Sequence, residues 1–253
     1  MKCKNCNNDF LITDEDRRFY AKIDVPDPTW CAACRNMRRL TFRNERSLYN
    51  RKCDLCSREI ISMYHPETDY KVYCNDCWYG DDWDTLKYEK EIDWNRKISD
   101  QIDELLKVVP FPAVQNNNCE NSEYCNFITL SKGCYLSYGL LQSEDIYYSY
   151  CVTKSTDCMD CSFIVECELC YQCVDCRNCY DVKFSQASSN CSDSHFLCDC
   201  IGCKDCFMCY NLRNKQYCYL NKEYSKEKYF EKIKDFDLEK TQELFKQEKS
   251  KVN

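Results

Sequence analysis

Small and apolar residues recur along this chain with several rhythms, and each predicts a different architecture. Between residues 113 and 222 a step of twelve dominates. Cys134, Ile146, Cys158 and Cys170 are each twelve apart, the phase slips by nine, and Cys179, Cys191 and Cys203 resume the step. A second column lies three residues later, through Cys125, Ser137, Ser149, Cys161 and Cys173, then Val182, Ser194 and Cys206. Aromatic residues follow in step at Tyr138, Tyr150, Phe163, Phe184 and Phe196. Small residues stacked at a fixed period suit a narrow β-solenoid, in which each coil offers the next an equivalent inward position. We therefore expect a cysteine- and tyrosine-rich solenoid of about eight short coils.

Helical rhythm appears elsewhere. Ile98, Ile102, Leu105, Leu106 and Val109 make one amphipathic helix, ended by Pro110 and Pro112, within a linker at residues 81–112. Its apolar stripe is expected to pack on the following domain. Ser225 can cap a helix holding Tyr229, Phe230 and Ile233, and Leu238, Leu244 and Phe245 suggest another, so residues 223–253 read as helices covering the solenoid's open end. Residues 35–49 lack Gly and Pro and read as helix. Glu59–Tyr64 and Tyr70–Tyr73 flank the polar turn His65-Pro66-Glu67-Thr68-Asp69 and read as a hairpin.

Cysteine spacing gives the first eighty residues their chemistry. Cys3-x2-Cys6 with Cys31-x2-Cys34, and Cys53-x2-Cys56 with Cys74-x2-Cys77, have the ligand count and spacing of two tetrahedral structural Zn²⁺ sites. In the first set the second knuckle runs into the predicted helix, a treble-clef-like arrangement. In the second the knuckles enclose the predicted hairpin, the build of a zinc ribbon. Four thiolates per metal leave no open position for water, so these sites predict structural rather than catalytic zinc. The fold class expected is thus small zinc-stabilised α+β modules followed by a solenoid with C-terminal capping helices.

Composition bounds the rest. The chain has 253 residues and 26 cysteines, yet its start, Met1-Lys2-Cys3-Lys4, has no apolar leader region, and no stretch approaches the length of a membrane span. That predicts a cytoplasmic protein whose thiols are reduced, so its cysteines are metal ligands or small buried residues rather than a disulfide scaffold. The runs Cys167-Cys170-Cys173-Cys176-Cys179 and Cys200-Cys203-Cys206-Cys209 leave open an iron–sulfur or extra zinc site, and with it a thiol-based metal or redox protein. The formal charge is −7. Two filled four-thiolate sites remove eight protons and add two Zn²⁺, giving −7 − 8 + 4 = −11. Such an anion is no general nucleic-acid coat.

One stretch runs against that charge. Arg35, Arg38, Arg39, Arg43, Arg46, Arg51, Lys52 and Arg58 face only Glu45 and Asp54. On one helix Arg35, Arg38, Arg39, Arg43 and Arg46 would share a face suited to phosphates, with Trp30, Phe42 or Tyr49 free to stack on unpaired bases. The bland alternative is a solvated face or arginines paired with acids. Catalysis has little support, because only His65 and His195 are present and no phosphate-binding glycine loop occurs.

Met1 to Arg39, with Asp9-Phe10, Phe19-Tyr20, a proline segment and Cys31-Ala32-Ala33-Cys34-Arg35, resembles the small bacterial "probable zinc-ribbon" domain. Ala32 departs from the expected proline and leaves the ligands intact. The run through Arg38-Arg39-Leu40, Arg43-Asn44-Glu45, Leu48-Tyr49 and Lys52-Cys53-Asp54-Leu55-Cys56, continued by the repeat, is similar to a group of zinc-binding proteins of uncultivated bacteria and of giant viruses. The first resemblance implies Cys3, Cys6, Cys31 and Cys34 as one metal site; neither implies a reaction. The expectation is a non-enzymatic zinc protein that binds nucleic acid, RNA preferred, through Arg35–Arg58. The rival is a protein–protein scaffold or virion-type structural component using the solenoid faces.

Overall fold

A computed structural model describes residues 1–41, 44–234 and 236–252. The chain divides into two compact units, Met1–Glu45 and Arg46–Asn253, with the boundary between the two zinc sets. The first unit holds α1 (Asp14–Lys22), opened by a Thr13/Asp16 capping box, and α2 (Ala32–Leu40). The predicted helix over 35–49 stops at Leu40, and Tyr49–Lys52 is instead a strand, β1. There, antiparallel pairing with β2 (Glu59–Ser62) overrides a local sequence merely free of helix breakers. Arg43 and Phe42 lie outside the described residues.

The second unit begins with that β1–β2 hairpin around the Cys53/Cys56 knuckle. The predicted pairing of 59–64 with 70–73 is not made. β3 (Val72–Tyr73) pairs in parallel with β4 (Phe111–Pro112), which delivers the chain to the solenoid, and α3 (Asn75–Tyr79) follows the second knuckle. Backbone bonds from Met63 N–H to Ala113 O (2.9 Å) and from Ala113 N–H to Tyr73 O (2.8 Å) tie the second zinc module to the solenoid's entry. That edge is closed by folded backbone rather than left bare.

The linker helix α4 (Ile98–Leu106) forms where its periodicity places it, but the expected packing does not occur. Ile98 and Ile102 are 48 % and 51 % exposed, and no residue of α4 is buried. Amphipathicity shows that a helix has an apolar face; it does not supply the surface that covers it.

The solenoid is a four-sided tube with twelve residues per coil. Its short parallel strands pair at that step, as in Asn126↔Tyr138↔Tyr150↔Ser162 and Tyr180↔Ser192↔Lys204↔Gln216. One inward column, Ser122, Cys134, Ile146, Cys158, Cys170, Val182, Ser194, Cys206 and Cys218, is buried throughout and marks nine coils. The phase slip seen in the sequence is absent. Inward residues recur every three positions, so Cys170 to Cys179 is a move of three sides around the tube, and column Cys167–Cys179–Cys191–Cys203 continues unbroken beside Cys170–Val182–Ser194–Cys206.

That period of three has a backbone origin. From Phe127 to Leu220 every third residue has φ between 44° and 68°, the left-handed region. Each such residue turns a corner and directs its successor inward. For residues other than glycine the conformation costs about 1–2 kcal/mol, least for Asn and Asp. It recurs here at Phe163, Leu169 and Met208 as well, so the ladder imposes it rather than local preference.

Hydrogen bonding explains which residues fill the tube. Outward residues donate to the next coil, as Tyr150 N–H does to Cys161 O (2.9 Å), and corner residues to the previous one, as Asp160 N–H does to Tyr147 O (3.1 Å). The inward residue's N–H points into the lumen and needs a side-chain acceptor from one coil earlier. Serine supplies it in Cys161 N–H to Ser149 Oγ (3.0 Å) and Cys167 N–H to Ser155 Oγ (3.1 Å). Cysteine sulfur takes the same place, with the N–H of Cys173 on Cys161 and that of Cys191 on Cys179. The thiols and hydroxyls donate in turn to the carbonyl two residues back, as from Cys158 Sγ to Thr156 O (3.2 Å). Ser and Cys are small and carry both a donor and an acceptor, so they satisfy that N–H, whereas Ile146, Val152, Ile164 and Val182 fill the lumen without supplying an acceptor.

The C-terminal helices α5 (Lys226–Ile233) and α6 (Leu238–Val252) form as expected, with Ser225 capping α5. They cover the flank of the last coils, where Phe196, Phe207, Met208 and Tyr229 form a buried cluster. The terminal strand Gln216–Tyr219 is closed by an antiparallel return strand, Lys222–Glu223.

Candidate metal centres and interaction surfaces

Both zinc sets converge, and on one plan. In each, a tight turn presents the first two cysteines. Asn7 (φ 58°) and Ser57 (φ 61°) adopt the left-handed conformation that closes it, and their N–H groups bond Cys3 O (3.0 Å) and Cys53 O (2.9 Å). In each, the third cysteine immediately precedes a helix and the fourth lies in its first turn: Cys31 and Cys34 on α2, Cys74 and Cys77 on α3. In each, the third cysteine's N–H bonds the first cysteine's sulfur, Cys31 to Cys3 and Cys74 to Cys53, both at 3.2 Å. A ribbon would have strands after both knuckles, whereas the second set here leads into a helix as the first does.

The four sulfurs of each set lie within 4.8 Å of one another, and among the described residues these are the two groups that could hold a metal. Cys6 Sγ is 3.9 Å from Cys31 Sγ, and Cys56 Sγ is 3.8 Å from Cys74 Sγ. A tetrahedron with Zn–S bonds of 2.3 Å has edges of about 3.8 Å. The sites fit two structural zinc ions. The electrostatics agree. Burial alone would raise the Cys3 and Cys53 thiols, but backbone N–H groups aimed at their sulfurs bring them down to about 6 and about 7. At Cys34 the Asn5 amide lowers the thiol, yet the crowding sulfurs of Cys31, Cys6 and Cys3 together with burial push it up to about 12. Four thiolates cannot ionise side by side without a cation between them.

The members of the basic row fall on both units, and most of the described ones are engaged. Arg35 donates to Tyr20 Oη (3.2 Å), and Arg38 lies 5.6 Å from the Trp30 ring centroid. Arg46 stacks on Tyr150 at 4.4 Å, and its carbonyl accepts from Tyr138 Oη (3.1 Å). Arg51 is a core residue, with its side chain 7 % exposed and paired to Asp54 at 2.9 Å. Lys52 faces Glu59 at 3.8 Å, and Arg58 pairs with Asp76 at 2.7 Å. Among the described residues Arg38 and Arg39 on α2 are exposed and outside any ion pair.

A surface that periodicity only hinted at is more coherent. One of the four faces carries an aromatic ladder in two runs, separated by the coil that presents Met159. Tyr124–Tyr135 and Tyr135–Tyr148 are edge-to-face at 5.5 and 5.8 Å; Tyr171–Phe184, Phe184–Phe196, Phe196–Phe207 and Phe207–Tyr219 continue at 4.7 to 5.9 Å. Helices α5 and α6 cover its last coils. Over the first coils it is bare, with Tyr124 and Tyr148 46 % and 53 % exposed. The signal available in the sequence was the aromatic residue that every coil but one places one or two positions after Ser122, Cys134, Ile146 and their equivalents, Met159-Asp160 being the exception; Tyr138, Tyr150 and Phe163, singled out by period alone, belong to the adjacent face.

His65 Nδ1 accepts from Glu67 N–H (3.2 Å), whereas His195 lies edge-to-face with Phe207, its Nδ1 buried without a hydrogen-bond partner, and burial beside Lys183 holds it below its usual range. Burial pushes the Cys125 and Cys200 thiols up to about 12. No helix among the described residues is long and apolar enough to cross a membrane.

Residues 1–43 match a family described as a probable treble clef domain. That accords with the knuckle-to-helix plan of the first set and with Cys3, Cys6, Cys31 and Cys34 as its ligands. No curated protein matches the chain.

Proposed function

We propose that this zinc-binding protein is a non-catalytic scaffold that docks protein partners on the bare half of the solenoid's aromatic face. One observation carries the reading: a single face is covered by amphipathic helices over its last coils and open over its first. Apolar surface of this kind, set on a rigid wall, is how binding sites distinguish themselves from ordinary surface. The non-catalytic part rests on the closed four-thiolate sites and on lumen thiols that donate to backbone carbonyls inside the tube. The same lumen chemistry weighs against a thiol redox role, and reduced thiols on this scale suit the cytoplasm.

The test uses a labelled synthetic peptide with the sequence of residues 225–252, added to the full chain. Fluorescence anisotropy should show saturable binding that weakens more than tenfold in the double variant Tyr135→Ser/Tyr148→Ser. Absence of binding, or equal binding to the variant, would sink the reading.

Nucleic-acid binding is a second reading, favoured by Arg38 and Arg39, which are exposed on α2 outside any ion pair, with Arg38 over the Trp30 ring. It predicts salt-sensitive binding of single-stranded RNA that Arg38→Ala/Arg39→Ala abolishes. Binding that ignores both arginines and salt would dismiss it.

A further inference from the structure

The chain carries two apolar surfaces that nothing covers, and they match. One is the bare aromatic face from Tyr124 to Tyr171. The other is the stripe of α4, Ile98, Ile102 and Leu106, preceded by Trp94, which is 79 % exposed. We propose that α4 of one copy docks in the bare aromatic face of the next, so that the protein assembles head to tail. The inference builds on the docking role proposed for that face and names its occupant as a second copy of this chain.

Three observations argue for that occupant. The face already receives amphipathic helices within the chain: α6 lays Phe245 against its Phe196 rung, and Tyr229 of α5 is buried in one cluster with Phe196 and Phe207. An α4-like helix on the open rungs continues an established interface. The lengths agree, since nine residues of helix span about 14 Å and four coil steps from Tyr124 to Tyr171 span about 19 Å.

The helix is also presented ready to bind. The Gln101 side chain clasps the Asp93 backbone at both ends, accepting from its N–H and donating to its C=O, each at 2.9 Å. Asn95 N–H bonds Asp93 Oδ1 (2.9 Å), and the Arg96–Glu104 pair closes the same turn. These bonds fix the backbone on both sides of Trp94 beside the start of α4. A segment already ordered in water has less backbone freedom left for docking to remove.

The geometry makes the contact heterologous, because helix meets face rather than like meeting like, and a heterologous contact that does not close into a ring grows without limit. The test is sedimentation velocity on the full chain over a rising concentration series. The wild type should grow beyond dimers. Ile102→Asp, which disables the helix, and Tyr135→Ser/Tyr148→Ser, which disables the face, should each stay monomeric. Both sets of changes lie on exposed positions, and circular dichroism checks that each variant is folded.

Mixed in equal amounts, the two variants should form heterodimers and stop there, since one intact helix and one intact face remain. A wild type monomeric at about 100 µM, a mixture that stays monomeric, or an Ile102→Asp variant that still dimerises would each overturn the assembly. Peptide binding to the face in the absence of self-assembly would leave the scaffold reading standing while removing this one.

Discussion

Two regions of this chain use cysteine for opposite purposes. In each zinc module four thiols converge from one turn and one helix start, with N–H groups lowering the first of each set. In the solenoid they are strung along columns, each facing a carbonyl of its own coil and an N–H of the next. Four sulfurs that all lie within 4.8 Å of one another become ligands. A lumen sulfur such as Cys170 also meets its neighbours Cys158, Cys167 and Cys173, but those do not converge on one point, and it donates to the Glu168 carbonyl as a spacer with a hydrogen bond. Cysteine content alone cannot distinguish these, because arrangement decides the chemistry.

The largest expected effect breaks the molecule along that line. Structural zinc contributes about 10–16 kcal/mol of apparent binding energy in small modules, so a strong chelator should unfold the two N-terminal modules. The strand signal in circular dichroism should persist. Thiol titration should gain the eight ligands, while the lumen remains silent until denaturant is added. A gain far above eight on chelation alone would show that the lumen is not the sealed ladder described.

Next in size is the ladder itself. Cys161→Val removes the acceptor for the Cys173 N–H and leaves a buried donor unpaired, which costs about 1–3 kcal/mol in urea unfolding. Cys161→Ser keeps both functions and should cost less than half of that. Serine proving the worse substitution would mean that volume, not hydrogen bonding, selects these residues.

Smaller still is Arg46→Ala. The loss of its stacking on Tyr150 should lower stability by about 0.5–1 kcal/mol, measured by thermal melts, without changing RNA affinity. An RNA effect would restore Arg46 to the nucleic-acid surface.

The smallest effect is a pH dependence at His195. Its folded pKa lies below the unfolded value, so the unfolded chain binds the extra proton first as pH falls below about 6.5. Stability should decline there in the wild type, and the decline should shrink in His195→Phe.

Much of this was legible because spacing encodes it. Cys-x2-Cys pairs need only local turns to become ligands, and the ligand sets follow from four numbers each. The solenoid showed in its step of twelve, but its phase did not. With inward positions every three residues, a column of cysteines can hand over to its neighbour without any change in backbone, as at Cys170 and Cys179. The helix expected over 35–49 failed at Leu40 because strand pairing to Glu59–Ser62 is invisible to a local window. The aromatic face escaped for a related reason. Tyr135 and Tyr148 are thirteen apart and touch only because one is a corner residue in the following coil.

The three-residue side of the tube turns chain length into angle. An insertion of twelve residues would add one storey of about 4.8 Å and leave every face aligned. An insertion of three between Tyr148 and Tyr171 would rotate everything downstream by a quarter turn, carrying the rungs from Tyr171 onward, with α5 and α6, off the side that holds Tyr124, Tyr135 and Tyr148. Such a molecule can change height in whole storeys, like a building, but it cannot be twisted by a single step without breaking its aromatic wall.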